Sequence, residues 1–304
     1  MSIQNVALVG GTGTLGAPVL EVLKASPLTT FVLNRASSKS TYNGVNVITI
    51  PNDLNVDTLA SLFKQHAIDA IILAIKGSYV EQQRTFIDAA FAGGVKRVIP
   101  AEFGSCDSAD DKTNEILPLM KGKKGVRDYL ISLQDKERPG TTEKLSWTAL
   151  VTGHFFDHGI VTPLLKFDVQ NRKAYLVDGG DIKFSASTLP FIGRAVAAVL
   201  QKPEETKNRL FYVHSNYVTQ LELLDALERA TGDKFERIAQ SSEEELKVVR
   251  PKMLEGDFDA MEEVVAIWGV VASDWKNKPD FANGLLGLQE EDLDTVVKAA
   301  LEHA

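Results

Sequence analysis

A single cysteine, Cys106, leaves this 304-residue chain without an internal disulfide, fits a reducing compartment, and supplies too few thiols for a cysteine zinc site. No metal site is expected. No apolar run approaches the ~20 residues of a membrane helix, and the N-terminus lacks the charged start of a signal peptide. There is no basic tract: 33 Lys and Arg stand against 41 Asp and Glu, a net charge of −8, which argues against binding nucleic acid through its phosphates. These absences predict a cytoplasmic protein with neither membrane nor nucleic-acid partner. Its 44% hydrophobic and 24% charged content is ordinary for a globular chain with a substantial core.

What the chain does have is glycine in one place. In "NVALVGGTGTLGAPVLEVL" (5–23), a strand-like run meets Gly10, Gly11, Gly13 and Gly16. From Leu15 onward, Leu15, Val19, Leu20 and Leu23 then recur at helical spacing. Glycines at a strand-to-helix turn let a ligand approach the backbone, and the first amides of the helix attract an anion. Gly10 to Gly16, with Thr12, Thr14 and Leu15 between the glycines, therefore read as a pyrophosphate cradle. No Gly-Lys-Ser/Thr follows, so a P-loop is excluded.

Strand and helix patterns alternate after the cradle. Strands are predicted at 29–35, 45–50, 69–75, 95–100 and 145–152. Helices are predicted in "VDTLASLFKQH", in "VEQQRTFIDAAFAGG", and after Pro118. This rhythm predicts an α/β fold, a Rossmann-like doubly wound parallel sheet. Beyond 152 it loosens. "KAYLVDGGDIKFSAS" suggests a hairpin with Gly179 and Gly180 at its turn, and the acidic "SSEEEL" reads as a solvated helix start. The expected division is a dinucleotide-binding domain over 1–152, to which a helix and strand near 188–215 return. A smaller, mostly helical substrate region would comprise 153–187 and 216–304.

The end of the second strand lacks the acid that would hold the ribose hydroxyls of NAD. Instead Arg35 stands 24 residues after Gly11, followed by Ser37, Ser38 and Lys39. Guanidinium pairs with phosphate in charge-assisted bonds, so this set suits the 2′-phosphate of NADPH.

Tyr-x-x-x-Lys, the proton-carrying pair of common short-chain dehydrogenases, is also missing: no tyrosine has a lysine four residues later. Another proton carrier is needed if the chain is an enzyme. Here a resemblance becomes specific. "VGGTGTLGAP", "VLNR", "GGVKRVIPAEFG", "KGKKGVRDYL" and "WTALVTGHFFD" occur in the order of the isoflavone reductase-like, NmrA-like family of atypical short-chain dehydrogenases. The likeness covers about the first 160 residues well, and the remainder only in general character. Ala101 replaces the serine usual in that family's segment.

The resemblance implies that a lysine three positions before a Val-Arg pair is catalytic. Val126-Arg127 is that pair, which gives Lys123, with Lys121 and Lys124 as neighbours of the same type. Such a lysine, its pKa lowered by a nearby cation or by partial desolvation, would exchange a proton with a substrate phenol or carbonyl. The resemblance further implies that Lys76 and Gly77 lie where a loop crosses the cofactor. Gly153, His154 and Phe155 would reach its nicotinamide end, with His154 and Phe156 toward substrate. The implied function is NADPH-dependent reduction of a small aromatic or conjugated carbonyl or phenolic metabolite by a monomer or homodimer. The alternative within the same family is a dinucleotide-binding redox sensor that contacts a protein partner without turnover.

Overall fold

The computed structural model describes residues 2–302. The first elements are β1 (Asn5–Val9), α1 (Gly16–Lys24), β2 (Thr29–Arg35), β3 (Asn46–Ile50) and α2 (Val56–Gln65). Next come β4 (Ala70–Leu73), α3 (Val80–Gly93), β5 (Arg97–Ile99), α4 (Asp111–Ile116), α5 (Met120–Leu133) and β6 (Ser146–Val151). The chain continues through β7 (His154–Phe155), α6 (Phe156–Ile160), β8 (Phe167–Asp168), β9 (Lys173–Val177), β10 (Phe184–Ser187), α7 (Leu189–Gln201) and β11 (Arg209–Tyr212). It ends with β12 (Asn216–Val218), α8 (Gln220–Thr231), β13 (Glu236–Gln240), α9 (Ser242–Leu254), α10 (Phe258–Ala272), α11 (Asn283–Leu286) and α12 (Leu293–Glu302).

The chain divides into two compact units. The first comprises residues up to Glu102, Leu119–Leu150 and Ile192–Phe211; the second comprises Phe103–Pro118, Val151–Phe191 and Tyr212 onward. In the first unit seven strands form one sheet in the order β11-β6-β5-β4-β1-β2-β3. β1 pairs in parallel with both β2 and β4, so the order reverses direction beside β1. That is the switch point where open α/β sheets bind ligands at their carboxyl edge. β1 and β4 are near-continuous apolar runs because helices cover both faces of such a sheet. Val9, Leu33, Ile71 and Val98 of the strands pack with Phe63, Phe86, Val126 and Leu130 of the helices. α2 begins on Asn55, which accepts from the Thr58 amide, and α3 ends on Gly94 in the left-handed region, φ 82°.

The second unit holds two three-stranded sheets, β12-β10-β7 and β13-β9-β8. This corrects the expected hairpin: β9 and β10 lie in different sheets. Gly179 and Gly180 do turn the chain, with φ of 89° and 77°. The polar groups around that turn are engaged elsewhere, however. Asp178 N–H donates to Gln240 at 2.8 Å, and the Gly180 carbonyl accepts from Leu221. β9 thus takes β13 in parallel and β8 antiparallel, while β10 takes β12 and β7. "SSEEEL" starts α9, with Ser241 accepting from the Glu244 amide. Among the described residues no helix is long and apolar enough to cross a membrane, and no acid, histidine and cysteine cluster is placed to hold a metal ion.

Candidate active site

The glycine loop fills the turn between β1 and α1, and its glycines are not equivalent. Gly10 has φ 86°, and a Cβ there would lie 2.3 Å from the Ala74 carbonyl oxygen beyond β4. A Cβ on Gly16 would lie 1.9 Å from the Gly10 oxygen. On Gly11 it would press Tyr42 and Val32 at 3.3 Å. Gly10 and Gly16 let the loop close on the chain beyond β4 and on itself, and Gly11 makes room for Tyr42 and for Val32 of β2. Gly13 differs: it is exposed, and its Cβ would meet the Gly10 oxygen at an ordinary 3.4 Å. The protein's own packing does not require glycine there, so the low outer face it leaves fits a ligand lying on the loop. α1 opens on Leu15 with no side-chain cap and no acid in its first turn, which leaves its positive end to an anion. Thr12 and Thr14 are exposed beside it.

At the end of β2, Arg35 and Lys39 are exposed. Arg35 borders a groove of about 470 Å³ shared with Ser78, Tyr79, Val80, Glu81 and Gln82. The loop after Arg35 is pinned: Ser37 donates through its amide and hydroxyl to Asn52 at 3.1 and 2.8 Å, and Asn34 donates to the Ser40 carbonyl. The Ser37 hydroxyl predicted to face a phosphate is therefore already engaged.

The three lysines at the start of α5 separate clearly. Lys121 is exposed, and Lys124 pairs with Asp128 one turn on at 2.6 Å. Lys123 is half-buried, and its Nζ donates to the Glu102 carbonyl just past β5. On the way it crosses Gly77, where a Cβ would stand 2.3 Å from Lys123 Cε and 3.3 Å from the Ala101 oxygen. Lys76, next to Gly77, is exposed. The Glu102 side chain is 2% exposed, and its Oε1 has no hydrogen-bond partner. Sequence reasoning missed Glu102, and it missed Gln83. Both amide ends of Gln83 are used, Oε1 accepting from Ala101 N–H at 3.0 Å and Nε2 donating to the Gly77 carbonyl at 3.2 Å.

In the second unit His154 and Phe156, expected toward substrate, are both buried. His154 is 2% exposed, and its Nε2 lies 3.3 Å from the Ala266 carbonyl. Gly269 makes room for the ring, since a Cβ there would sit 2.0 Å from Nε2. Burial pushes this imidazole down to about 4, so it is neutral. Phe156 is fully buried in the core with Ile160, Leu165, Phe184 and Leu223. The Phe156 ring gains by leaving water, and the neutral imidazole is tolerated there because its Nε2 meets the Ala266 carbonyl. Phe155 is half-buried. Gly153, φ 75°, lies against β10, where a Cβ would be 2.1 Å from the Ser185 oxygen.

A model described as the NmrA-like family matches residues 2–277. The chain belongs to the NmrA-like family. This NmrA-like chain is 29% identical over 304 residues to oxidoreductase aprR of Aspergillus flavus, covering 98% of itself and 99% of that protein. The structure of AtPrR2 with NADP+ and (+)pinoresinol matches at a TM-score of 0.80 and 20% identity, over 99% of both chains. A crystal structure of isoflavone reductase matches at 0.76 and 20%, over 100% of both. At such identities the two structures establish the shared fold of the NmrA-like chain.

Proposed function

We propose that this protein is an NADPH-dependent reductase of a small aromatic or conjugated carbonyl or phenolic metabolite, with Lys123 as its general acid or base. The observation that carries the reading is the placement of Lys123. Alone among three neighbouring lysines, it is drawn across Gly77 to the Glu102 carbonyl at the carboxyl ends of β4 and β5. Support comes from the relatives' names: aprR is an oxidoreductase, and AtPrR2 was solved with NADP+ and (+)pinoresinol.

The residues fit a dinucleotide. The loop Gly10–Gly16 and the uncapped start of α1 would hold its pyrophosphate, and Arg35 and Lys39 would hold the 2′-phosphate. The backbone at Lys76 and Gly77 would lie along it. When bound, NADPH supplies a hydride. Lys123 exchanges the proton that must accompany that hydride, and the Glu102 carbonyl orients its ammonium. Gly153, His154 and Phe155 contribute backbone and packing in the second unit, and we assign His154 no proton transfer because burial keeps it neutral.

The test is NADPH oxidation by the purified protein against aromatic enones, quinones and phenolic ethers, with NADH in parallel. Turnover of at least one class with NADPH preferred supports the reading. If no compound is reduced, yet NADPH changes association with a protein partner, the chain is a redox sensor instead.

A further inference from the structure

The geometry points to Gln83 as a positioning residue for Lys123, a role that rests on the reductase reading above. Gln83 lies in the first turn of α3, 1% exposed. Its carboxamide spans the two loops at the carboxyl ends of β4 and β5, taking the Ala101 N–H at one end and giving an N–H to the Gly77 carbonyl at the other. Only one orientation of the amide satisfies both; the flipped one would set oxygen against oxygen and N–H against N–H. The two residues it joins are the walls of the Lys123 seat. Gly77 is the surface the lysine crosses, and Ala101 precedes the residue whose carbonyl receives the ammonium. A single buried side chain thus fixes the spacing of both walls. Because a gap between walls sets where a flexible lysine ends, the brace controls the position of an acid or base that Gln83 itself does not touch.

The test reads the seat directly, without relying on turnover. Trace acetylation with acetic anhydride, resolved by peptide mass spectrometry, compares Lys123 with the exposed Lys121 in the same molecule. In the wild type Lys123 reacts more slowly. In Gln83→Leu its rate relative to Lys121 rises about tenfold, the factor associated with losing one charge-assisted hydrogen bond. Gln83→Glu keeps an acceptor for Ala101 but cannot donate to Gly77, and gives a smaller rise; it serves if the leucine variant does not fold. Gly77→Ala keeps the Gln83 side chain, sets a Cβ 2.3 Å from Lys123 Cε and 3.3 Å from the Ala101 oxygen, and raises the same ratio by displacing the lysine. A general loosening of the fold would also speed the half-buried Lys96, which pairs with Asp69, so a rise at Lys123 matched by an equal rise at Lys96 overturns the proposal. A folded Gln83 variant with an unchanged ratio overturns the proposal. On a substrate that wild type reduces, kcat of Gln83→Leu falls about tenfold to a hundredfold with little change in KM. If Lys123→Ala keeps full turnover, the lysine reading fails, while the labelling ratio still decides whether Gln83 builds the seat.

Discussion

Replacing Gly13 and Gly16 separately by alanine should split binding from folding within one four-residue stretch. At Gly16 the new Cβ would stand 1.9 Å from a backbone oxygen, and neither atom can yield without moving the β1–α1 turn. Overpacking of that kind costs ~1–3 kcal/mol, and the backbone partner puts Gly16→Ala at the upper end. At Gly13 the new Cβ rests 3.4 Å from its nearest neighbour, so Gly13→Ala should melt within a degree or so of wild type. Its cost should appear only when a ligand lies on the loop. A displaced pyrophosphate contact worth ~1.4 kcal/mol or more weakens NADPH at least about tenfold. The assays are thermal melting without cofactor and NADPH fluorescence titration of each folded variant. A Gly13→Ala variant that binds NADPH as wild type does, or a Gly16→Ala variant as stable as wild type, would refute the reasoning.

Two further outcomes follow from other groups. Arg35→Ala should weaken NADPH by about tenfold to a hundredfold or more, the worth of a charge-assisted pair, and leave NADH unchanged; equal loss for both cofactors in a titration would remove Arg35 from the phosphate. Because burial holds His154 down near 4 against an ordinary 6.5, the unfolded chain binds the extra proton between those values, and stability must fall as pH drops through that window, by about 3 kcal/mol in all. His154→Gln keeps an N–H for the Ala266 carbonyl and abolishes that titration. Its denaturation midpoint should therefore fall less than wild type's between pH 6.5 and 4, and parallel curves would mean that His154 is not the buried neutral group described.

Much of the fold was legible because its signals are local. β2 occupies 29–35, where the apolar Phe31, Val32 and Leu33 run together, and α3 stops where Gly94 offers a left-handed cap. The strands of the second unit were not. β9 pairs with β13 some sixty residues on, and nothing in "KAYLVDGG" reveals a partner that distant. At the candidate site, the glycine loop and Arg35 stand out by type and spacing, and Lys123 by resemblance to a family motif. Gln83 and Glu102 carry no such signal: a glutamine inside a helix reads as a polar face, and only the structure shows it buried between two loops. Phe156 and His154 show a property the sequence hides. Aromatic residues just past a strand end look like a substrate wall, while burial, which the sequence does not display, makes them core.

The central claim is that Lys123 moves the proton of an NADPH-driven reduction, and one measurement tests it most directly. Single-turnover reduction of a substrate by prebound, 4-deuterated NADPH is compared for wild type and for Lys121→Ala, Lys123→Ala and Lys124→Ala. The account predicts deuterium in the product, wild-type NADPH affinity in all three variants, and a rate lowered ~10²–10⁴-fold only in Lys123→Ala. A Lys123→Ala variant as fast as wild type, or an equal loss at Lys121 or Lys124, would contradict it.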